Sequence, residues 1–192
     1  MKKQKVFIIG SNKTGTTSLT EAFKILGYKV CPEHIIYEFN SQYLIESSKE
    51  NYNPLFDLVH KYDVFEDRPW NHTNFYEVLN EKFENSKFIL TIRETENWIN
   101  SYLRWSDKIA LRQQWFYPIV SKVCYGNDDF LSDVGNMKSK FESRNKEIID
   151  YFKNNSNFLI MNLEENHGWQ ELCNFLNEEI PQIKFPNLNK TK

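Results

Sequence analysis

Residues 6–19 read Val6-Phe7-Ile8-Ile9-Gly10-Ser11-Asn12-Lys13-Thr14-Gly15-Thr16-Thr17-Ser18-Leu19, an apolar run that stops at a glycine and gives way to a polar turn. The first four residues are β-branched or aromatic, which predicts a strand buried on both faces. Apolar residues then recur at helical spacing as far as Gly27, which predicts a helix. Backbone N–H groups at a helix N-terminus lack intrahelical acceptors, so the turn between strand and helix is a cradle for an anion.

The position of the lysine separates this turn from an ATP-binding P-loop. Gly10 and Gly15 have the P-loop spacing, but Thr16 stands where a lysine should follow the second glycine, and the lysine of this turn is Lys13. In the nucleoside-triphosphate version, the lysine after the glycine reaches the terminal phosphates and the next hydroxyl holds Mg²⁺. From the residues alone, an ordinary helix N-terminus with hydroxyl caps is the alternative interpretation.

The run Lys13-Thr14-Gly15-Thr16-Thr17-Ser18 resembles the 5′-phosphosulfate loop of sulfotransferases, with a lysine ahead of the glycine and hydroxyl residues after it. The donor of that family is 3′-phosphoadenosine 5′-phosphosulfate (PAPS). The resemblance therefore implies that these six residues bind the 5′-phosphosulfate of PAPS, with no metal ion required.

Composition and charge restrict the class of protein. The chain has 192 residues, of which 40% are hydrophobic and 26% charged, so we expect one domain over residues 1–192. A net charge of −2 predicts no nucleic-acid partner. The apolar run that follows the N-terminal lysines is too short for a signal peptide or a membrane span, which favours a cytoplasmic protein. Three cysteines without paired metal spacing predict buried thiols, with neither a disulfide nor a metal site: Cys31, Cys124 and Cys173.

Strand and helix patterns alternate along the chain. Further strands are predicted at 62–67, 87–93 and 157–163, each separated from the next by stretches of helical periodicity. Such alternation predicts an α/β fold with a mostly parallel sheet covered on both faces, a P-loop NTPase-like three-layer sandwich. Residues 106–152 contain no evident strand and predict a helical excursion from this sandwich.

A second candidate site follows the third strand. Arg93 leaves the strand, and Ser101 comes eight residues later on the next predicted helix. Because ligands of open α/β sheets bind beyond the carboxyl ends of the strands, both residues belong to the edge where the Lys13 loop opens. An arginine after a strand and a serine eight residues on is the 3′-phosphate pattern of sulfotransferases, in which the guanidinium binds phosphate in a bidentate manner. On its own, this pair is better explained as an arginine near a helix N-terminus and a serine on a solvated face.

The similarity to one sulfotransferase branch extends to the C-terminal part of the chain. Residues 168–176 and 181–189 resemble its Gly-Trp, Phe-Leu and Phe-Pro…Asn pattern, whereas residues 106–138 match poorly. The chain lacks the Arg-Lys-Gly loop that holds the 3′-phosphate in the cytosolic steroid and phenol enzymes. The resemblance leaves open which residues replace that loop.

Sulfuryl transfer needs a base for the proton of the acceptor and positive charge on the leaving phosphate oxygen. Lys13 is the catalytic candidate for the positive charge, and Asp67 matches the branch's Asp-x-Pro after the second strand. Asp67 could instead cap a helix or pair with an arginine such as Arg68. The other candidates for the base are Glu66, His34, His60 and His72, of which His34 is the first alternative.

These patterns predict a PAPS-dependent sulfotransferase acting on a hydroxyl or an amine of a small-molecule or glycan acceptor. A P-loop small-molecule kinase is the alternative enzyme, disfavoured by the missing Gly-Lys-Ser/Thr. A nucleotide-binding module that kept the cradle and lost the base is the alternative without catalysis. The aromatic residues Trp98, Tyr102, Trp105, Trp115 and Phe116 belong either to a ligand pocket or, by their helical spacing, to the core.

Overall fold

Four parallel strands form the sheet in the part of the chain that the structure describes. The structure, a computed structural model, describes residues 3–32, 35, 51–66, 68–72, 74–110 and 133–188, with only the backbone at 106–110. The strand order is β2-β1-β3-β4. The strand bounds are β1 Val6–Ile8, β2 Val64–Phe65, β3 Lys87–Ile92 and β4 Phe158–Asn162. The predicted α/β class with a parallel sheet is confirmed.

Helices follow the strands in the predicted alternation. Their bounds are α1 Thr16–Ile25, α2 Asn53–Val59, α3 Phe75–Lys82, α4 Thr95–Ala110, α5 Val134–Tyr151 and α6 Trp169–Leu176, with a 3-10 turn at Leu163–Glu165. Helix α5 and the last five residues of α4 fall within the predicted excursion, residues 106–152, whose residues 111–132 lie outside the described residues. So does most of a further amphipathic helix that the sequence predicts at 32–48. None of the helices within the described ranges is long and apolar enough to cross a membrane.

The sheet separates two apolar cores, because successive side chains of a strand point to opposite faces. Phe7 and Ile9 pack on the face covered by α2, α3 and α5. Val6 and Ile8 pack on the other face, against α1 and α6. All four residues are fully buried, as the sequence predicts for a central strand. A third cluster joins α4 to α5 through Trp98, Tyr102 and Phe141.

The second strand is shorter than the predicted segment 62–67. β2 pairs with β1 at Val6↔Val64 and Phe7↔Phe65, and β1 continues one residue further, to Ile8, where it pairs only with β3. Val30 contributes one isolated parallel bridge to Val64. Strand β3 lies between β1 and β4, so the residues that follow these three strands meet at one edge of the sheet.

Candidate functional site

A cleft of about 1200 Å³ opens at the carboxyl ends of β1, β3 and β4. Its walls are the loop after β1, the exit of β3 with one side of α4, the turn after β4, and the C-terminal segment. The predicted binding residues that line it are Lys13, Thr14, Gly15, Thr16, Thr17, Ser18, Arg93 and Ser101. Two motifs predicted separately from the sequence therefore border the same cleft. Their roles in binding and catalysis stay predictions.

A close contact accounts for the first glycine of the loop, and the backbone conformation accounts for the second. A Cβ on Gly10 would lie 2.0 Å from Oγ1 of Thr91 on β3, so only glycine lets β1 end this close to β3. Gly15 has φ +99°, in the left-handed region that favours glycine, and a Cβ there would lie 2.6 Å from Cδ1 of Leu163. The Thr14 hydroxyl donates to the Ser11 carbonyl at 2.5 Å. The loop is thus packed against β3 and against the turn after β4.

Lys13 holds a left-handed backbone conformation, with φ +69°, that is uncommon for a residue with a side chain. Hydrogen bonds from the surrounding elements fix this part of the loop. Trp98 on α4 donates its indole N–H to the Asn12 carbonyl at 2.8 Å, and Nη1 of Arg93 donates to the Lys13 carbonyl at 3.2 Å. The Asn71 amide donates to Oδ1 of Asn12 at 3.2 Å. The surroundings therefore stabilise a conformation that the local sequence alone would disfavour.

The side chain of Lys13 lies near an aromatic ring of the cleft. Its Nζ is 6.0 Å from the ring centroid of Trp105 on α4, and the Arg68 guanidinium carbon is 5.8 Å from the same centroid. Trp105 lines the cleft, whereas Trp98 and Tyr102 are fully buried in the core. Of the aromatic residues predicted to lie either in a ligand pocket or in the core, Trp105 therefore belongs to the pocket, and Trp98 and Tyr102 belong to the core. Trp115 and Phe116 lie outside the described residues.

Arg93 forms an ion pair at the mouth of the cleft. Its Nε and Nη2 lie 2.9 and 2.8 Å from Oε1 of Glu164, a residue of the 3-10 turn after β4. Asn97 on α4 donates its amide to the other carboxylate oxygen of Glu164 at 3.3 Å. Ser101 lies one helical turn beyond Asn97, almost fully buried, and also lines the cleft. Sequence reasoning missed Asn97 and Glu164; the spacing of Asn97 four residues before Ser101 was the available signal.

The C-terminal segment forms another wall of the cleft. Its backbone N–H at Leu188 donates to the Ser18 hydroxyl at 2.9 Å, so a predicted donor-binding residue also holds this segment in place. Phe185 packs edge-on against Trp169 with ring centroids 5.0 Å apart, and the Trp169 indole donates to the Ile183 carbonyl at 2.8 Å. The sequence indicated this segment only through its resemblance to the family. Its contact with the loop was not predicted.

His167 is a further lining residue that sequence reasoning missed. Its Nδ1 accepts a hydrogen bond from the Asn162 backbone N–H at 3.1 Å. An accepting Nδ1 places the proton of the neutral ring on Nε2.

Of the candidates for the base, Asp67 and His34 lie outside the described residues, so their assignment stays a prediction. His60 is wrong as a candidate. It lines a small depression with Lys3, Lys5 and Ser86, at the amino ends of β1 and β3. That edge of the sheet is opposite to the cleft. His72 is largely buried, and Glu66 is half-buried.

Neither of the two described thiols lines the cleft. Cys31 and Cys173 are buried and free, and burial raises the pKa of Cys31 to about 12. A thiol with so high a pKa is unreactive at neutral pH, because the thiolate is the nucleophile. Cys124 lies outside the described residues. Within the described ranges, no group of three or more His, Cys, Asp or Glu residues is placed to bind a metal ion.

Comparison with known proteins agrees with this geometry. The sulfotransferase domain family matches residues 5–192. The chain belongs to this family. It is also similar to the Ava biosynthesis cluster protein M of Aspergillus versicolor, with 22% identity over 222 residues that cover 96% of this chain and 80% of that protein. The resemblance read from the loop, the Arg93 strand and the C-terminal pattern is thereby confirmed at the level of the family.

Proposed function

We propose that this sulfotransferase domain transfers the sulfuryl group of PAPS to a hydroxyl or an amine of a small-molecule or glycan acceptor. The observation that carries the proposal is the meeting of the Lys13 loop with Arg93 and Ser101 in one cleft. Two anion-binding motifs that border one cleft suit a donor that carries phosphate groups at two positions. The relative's name places that protein in a biosynthesis cluster, which favours a small-molecule acceptor.

The donor-binding residues have the chemistry that this molecule requires. The loop offers the N-terminus of α1, where Gly15 has no side chain to cap the helix, and the cation of Lys13. At the other site, Arg93 and Asn97 both donate to the Glu164 carboxylate, which supports a role of these side chains in holding an anion. Residues 13–18 would therefore take the 5′-phosphosulfate, while Arg93 and Ser101 would take the 3′-phosphate.

The transfer step needs a base for the proton of the acceptor and a cation for the charge of the leaving group. The acceptor oxygen or nitrogen forms a bond to sulfur as the bond from sulfur to the bridging phosphate oxygen breaks, and its proton passes to the Asp67 carboxylate. The departing phosphate oxygen keeps the electron pair, and Lys13 stabilises its negative charge. Asp67 and His34 are alternative proton acceptors, and we propose Asp67. We further propose that the protein acts in the cytoplasm.

Ligand stabilisation tests the choice of donor. Adenosine 3′,5′-bisphosphate, the product that the donor leaves, should raise the melting temperature without magnesium, because a ligand of the folded state stabilises it by mass action. ATP with magnesium should raise it much less. The opposite order would overturn the proposal and favour a kinase. If the bisphosphate binds but a broad panel of alcohols, phenols, amines and sugars accepts no sulfate from PAPS, a binding module is favoured.

A further inference from the structure

Glu164 lies where strand order brings two strand ends together. β4 pairs with β3 in parallel, and the last pair in the register is Ile92↔Asn162. Arg93 follows the first of these residues, and the 3-10 turn that contains Glu164 follows the second. The two side chains are therefore neighbours because of the sheet, although 71 positions separate them in the chain.

The contacts of the Glu164 carboxylate are those expected for a bound phosphate. Two nitrogens of Arg93 converge on Oε1, at 2.9 and 2.8 Å, and the amide of Asn97 reaches Oε2 at 3.3 Å. Arginine is suited to carboxylate and phosphate alike, because its planar fork presents several N–H donors to neighbouring oxygens. All three residues line the cleft. An anion of the protein itself thus occupies the donors of the site assigned to the 3′-phosphate.

We propose that Glu164 competes with the 3′-phosphate of the donor for Arg93 and Asn97, and so sets how strongly the cleft prefers a 3′-phosphorylated nucleotide. This inference rests on the proposed function. While the cleft lacks a nucleotide, the Glu164 carboxylate balances the charge of the Arg93 guanidinium. A 3′-phosphate takes over these donors, and the Glu164 side chain moves out towards water.

The exposure of the pair makes such an exchange inexpensive. The side chains of Arg93 and Glu164 are 26% and 36% exposed, and ion pairs this accessible to water contribute little to stability. A phosphate monoester carries more negative charge than a carboxylate and offers more oxygens to the same donors. The exchange therefore favours the phosphate. Because the phosphate must displace the Glu164 carboxylate, the net affinity for the 3′-phosphorylated nucleotide is lower than it would be without Glu164.

The substitution Glu164→Gln isolates the charge. Glutamine keeps the length of the side chain and an oxygen for the Asn97 amide, but it no longer competes electrostatically for the guanidinium. We expect adenosine 3′,5′-bisphosphate to bind roughly three- to tenfold more tightly to this variant, at low ionic strength. The affinity for adenosine 5′-phosphate, which differs only by lacking the 3′-phosphate, should stay unchanged.

Glu165→Gln provides the matched control. It removes the same charge one residue further on, where the carboxylate accepts a hydrogen bond from the Asn162 amide at 2.9 Å and does not line the cleft. Both nucleotides should bind to this variant as they bind to the unaltered protein. A general effect of net charge would instead tighten binding in both variants.

Isothermal titration calorimetry, with competition titrations for weakly bound nucleotides, distinguishes the outcomes. Tighter bisphosphate binding in Glu164→Gln alone supports the inference. Weaker bisphosphate binding in that variant would show that Glu164 orients Arg93 for the phosphate. Equal gains in affinity for both nucleotides would show that Glu164 does not act on the 3′-phosphate. Either result overturns the proposed competition. If the unaltered protein binds no bisphosphate at millimolar concentration, the proposed function fails with it. If it binds and Glu164→Gln changes nothing, only this inference fails.

Discussion

Arg93 donates a hydrogen bond from Nη1 to the backbone carbonyl of Lys13, at 3.2 Å across 80 positions of the chain. This bond joins the two motifs that the sequence predicts as separate anion sites. Arg93 is therefore placed to act in two ways, through its charge on the 3′-phosphate and through its support of the loop that carries Lys13. The predictions below separate these effects.

Arg93→Ala should weaken the binding of adenosine 3′,5′-bisphosphate by about 2 kcal/mol, roughly 30-fold. Truncating one partner of a buried charge pair costs about 2–5 kcal/mol, and we take the lower end because the Arg93 side chain is 26% exposed. Calorimetric titration measures the change. The loss for adenosine 5′-phosphate should be smaller but not zero, since the loop also loses its hydrogen bond.

Lys138→Ala is the control for Arg93→Ala. It breaks an exposed ion pair between Lys138 and Glu96 at 3.1 Å, outside the lining of the cleft. We expect no change in the affinity for either nucleotide. If a folded Arg93→Ala variant binds the bisphosphate with unchanged affinity, Arg93 does not contact the 3′-phosphate and is an ordinary surface residue.

Trp98→Phe should weaken donor binding through the shape of the loop. The substitution removes the indole N–H that donates to the Asn12 carbonyl at 2.8 Å but leaves an aromatic ring against Phe141. Loss of one partner of a buried hydrogen bond costs about 1–3 kcal/mol. We expect stability to fall by about this amount and bisphosphate affinity to fall roughly three- to tenfold.

Phe141→Leu separates the loop effect from a loss of packing. Phe141 stacks on Trp98 with ring centroids 4.0 Å apart, so this variant also loses stability but keeps the indole donor. Chemical denaturation would measure the stability of both variants, and calorimetry their affinity. Equal losses of affinity at equal stability would show that Trp98 supports the core alone.

Asp67→Asn should lower turnover by about 10²–10⁴, the usual contribution of a general base, once an acceptor is identified. Asparagine keeps the shape of the side chain but accepts no proton at neutral pH. Bisphosphate affinity should barely change, because the base acts on the acceptor. Glu66→Gln removes the neighbouring carboxylate and serves as the comparison. A larger loss of turnover in Glu66→Gln or in His34→Ala would show that Asp67 is not the general base.

Glu171→Gln should make the domain less stable at neutral pH by about 0.3–1 kcal/mol, the contribution of a carboxylate charge near a helix N-terminus, because glutamine keeps an oxygen for the Gly168 N–H but not the charge. The carboxylate accepts the Gly168 backbone N–H at 2.7 Å, and this hydrogen bond holds the pKa of Glu171 below its ordinary value of 4.5. A lowered pKa means that the stabilisation is present above pH 4.5 and is lost as the pH falls through the folded-state pKa.

Urea denaturation of Glu171→Gln and of the unaltered domain, at pH 7 and near pH 3, would measure this dependence. The stability difference should shrink at the lower pH. Glu179→Gln, on an exposed side chain, should show no such difference at either pH. If the stability difference between the two proteins did not change with pH, the charge of the Glu171 carboxylate would not be what stabilises the start of the helix. The cap matters for the cleft because α6 begins at Trp169, one of its lining residues.

The sequence by itself determined the elements and the edge of the sheet on which the site lies. A buried run, a glycine turn and a helical period are local patterns, since they follow from backbone geometry and from burial of neighbouring side chains. This is why β1, the Lys13 loop and α1 could be predicted, and why Arg93 could be placed at the end of β3. The left-handed backbone of Lys13 was not predictable, because residues distant in sequence stabilise it.

Only the tertiary structure decided which side chains meet across that edge. Glu164 contacts Arg93 because β4 lies next to β3, and Leu188 contacts Ser18 although 170 positions separate them. Such pairs leave no periodic signal in the sequence, since each depends on strand order and on the direction in which a turn leaves its strand. The order β2-β1-β3-β4 thus converts three separate stretches of sequence into a single cleft, because parallel strands end at the same edge.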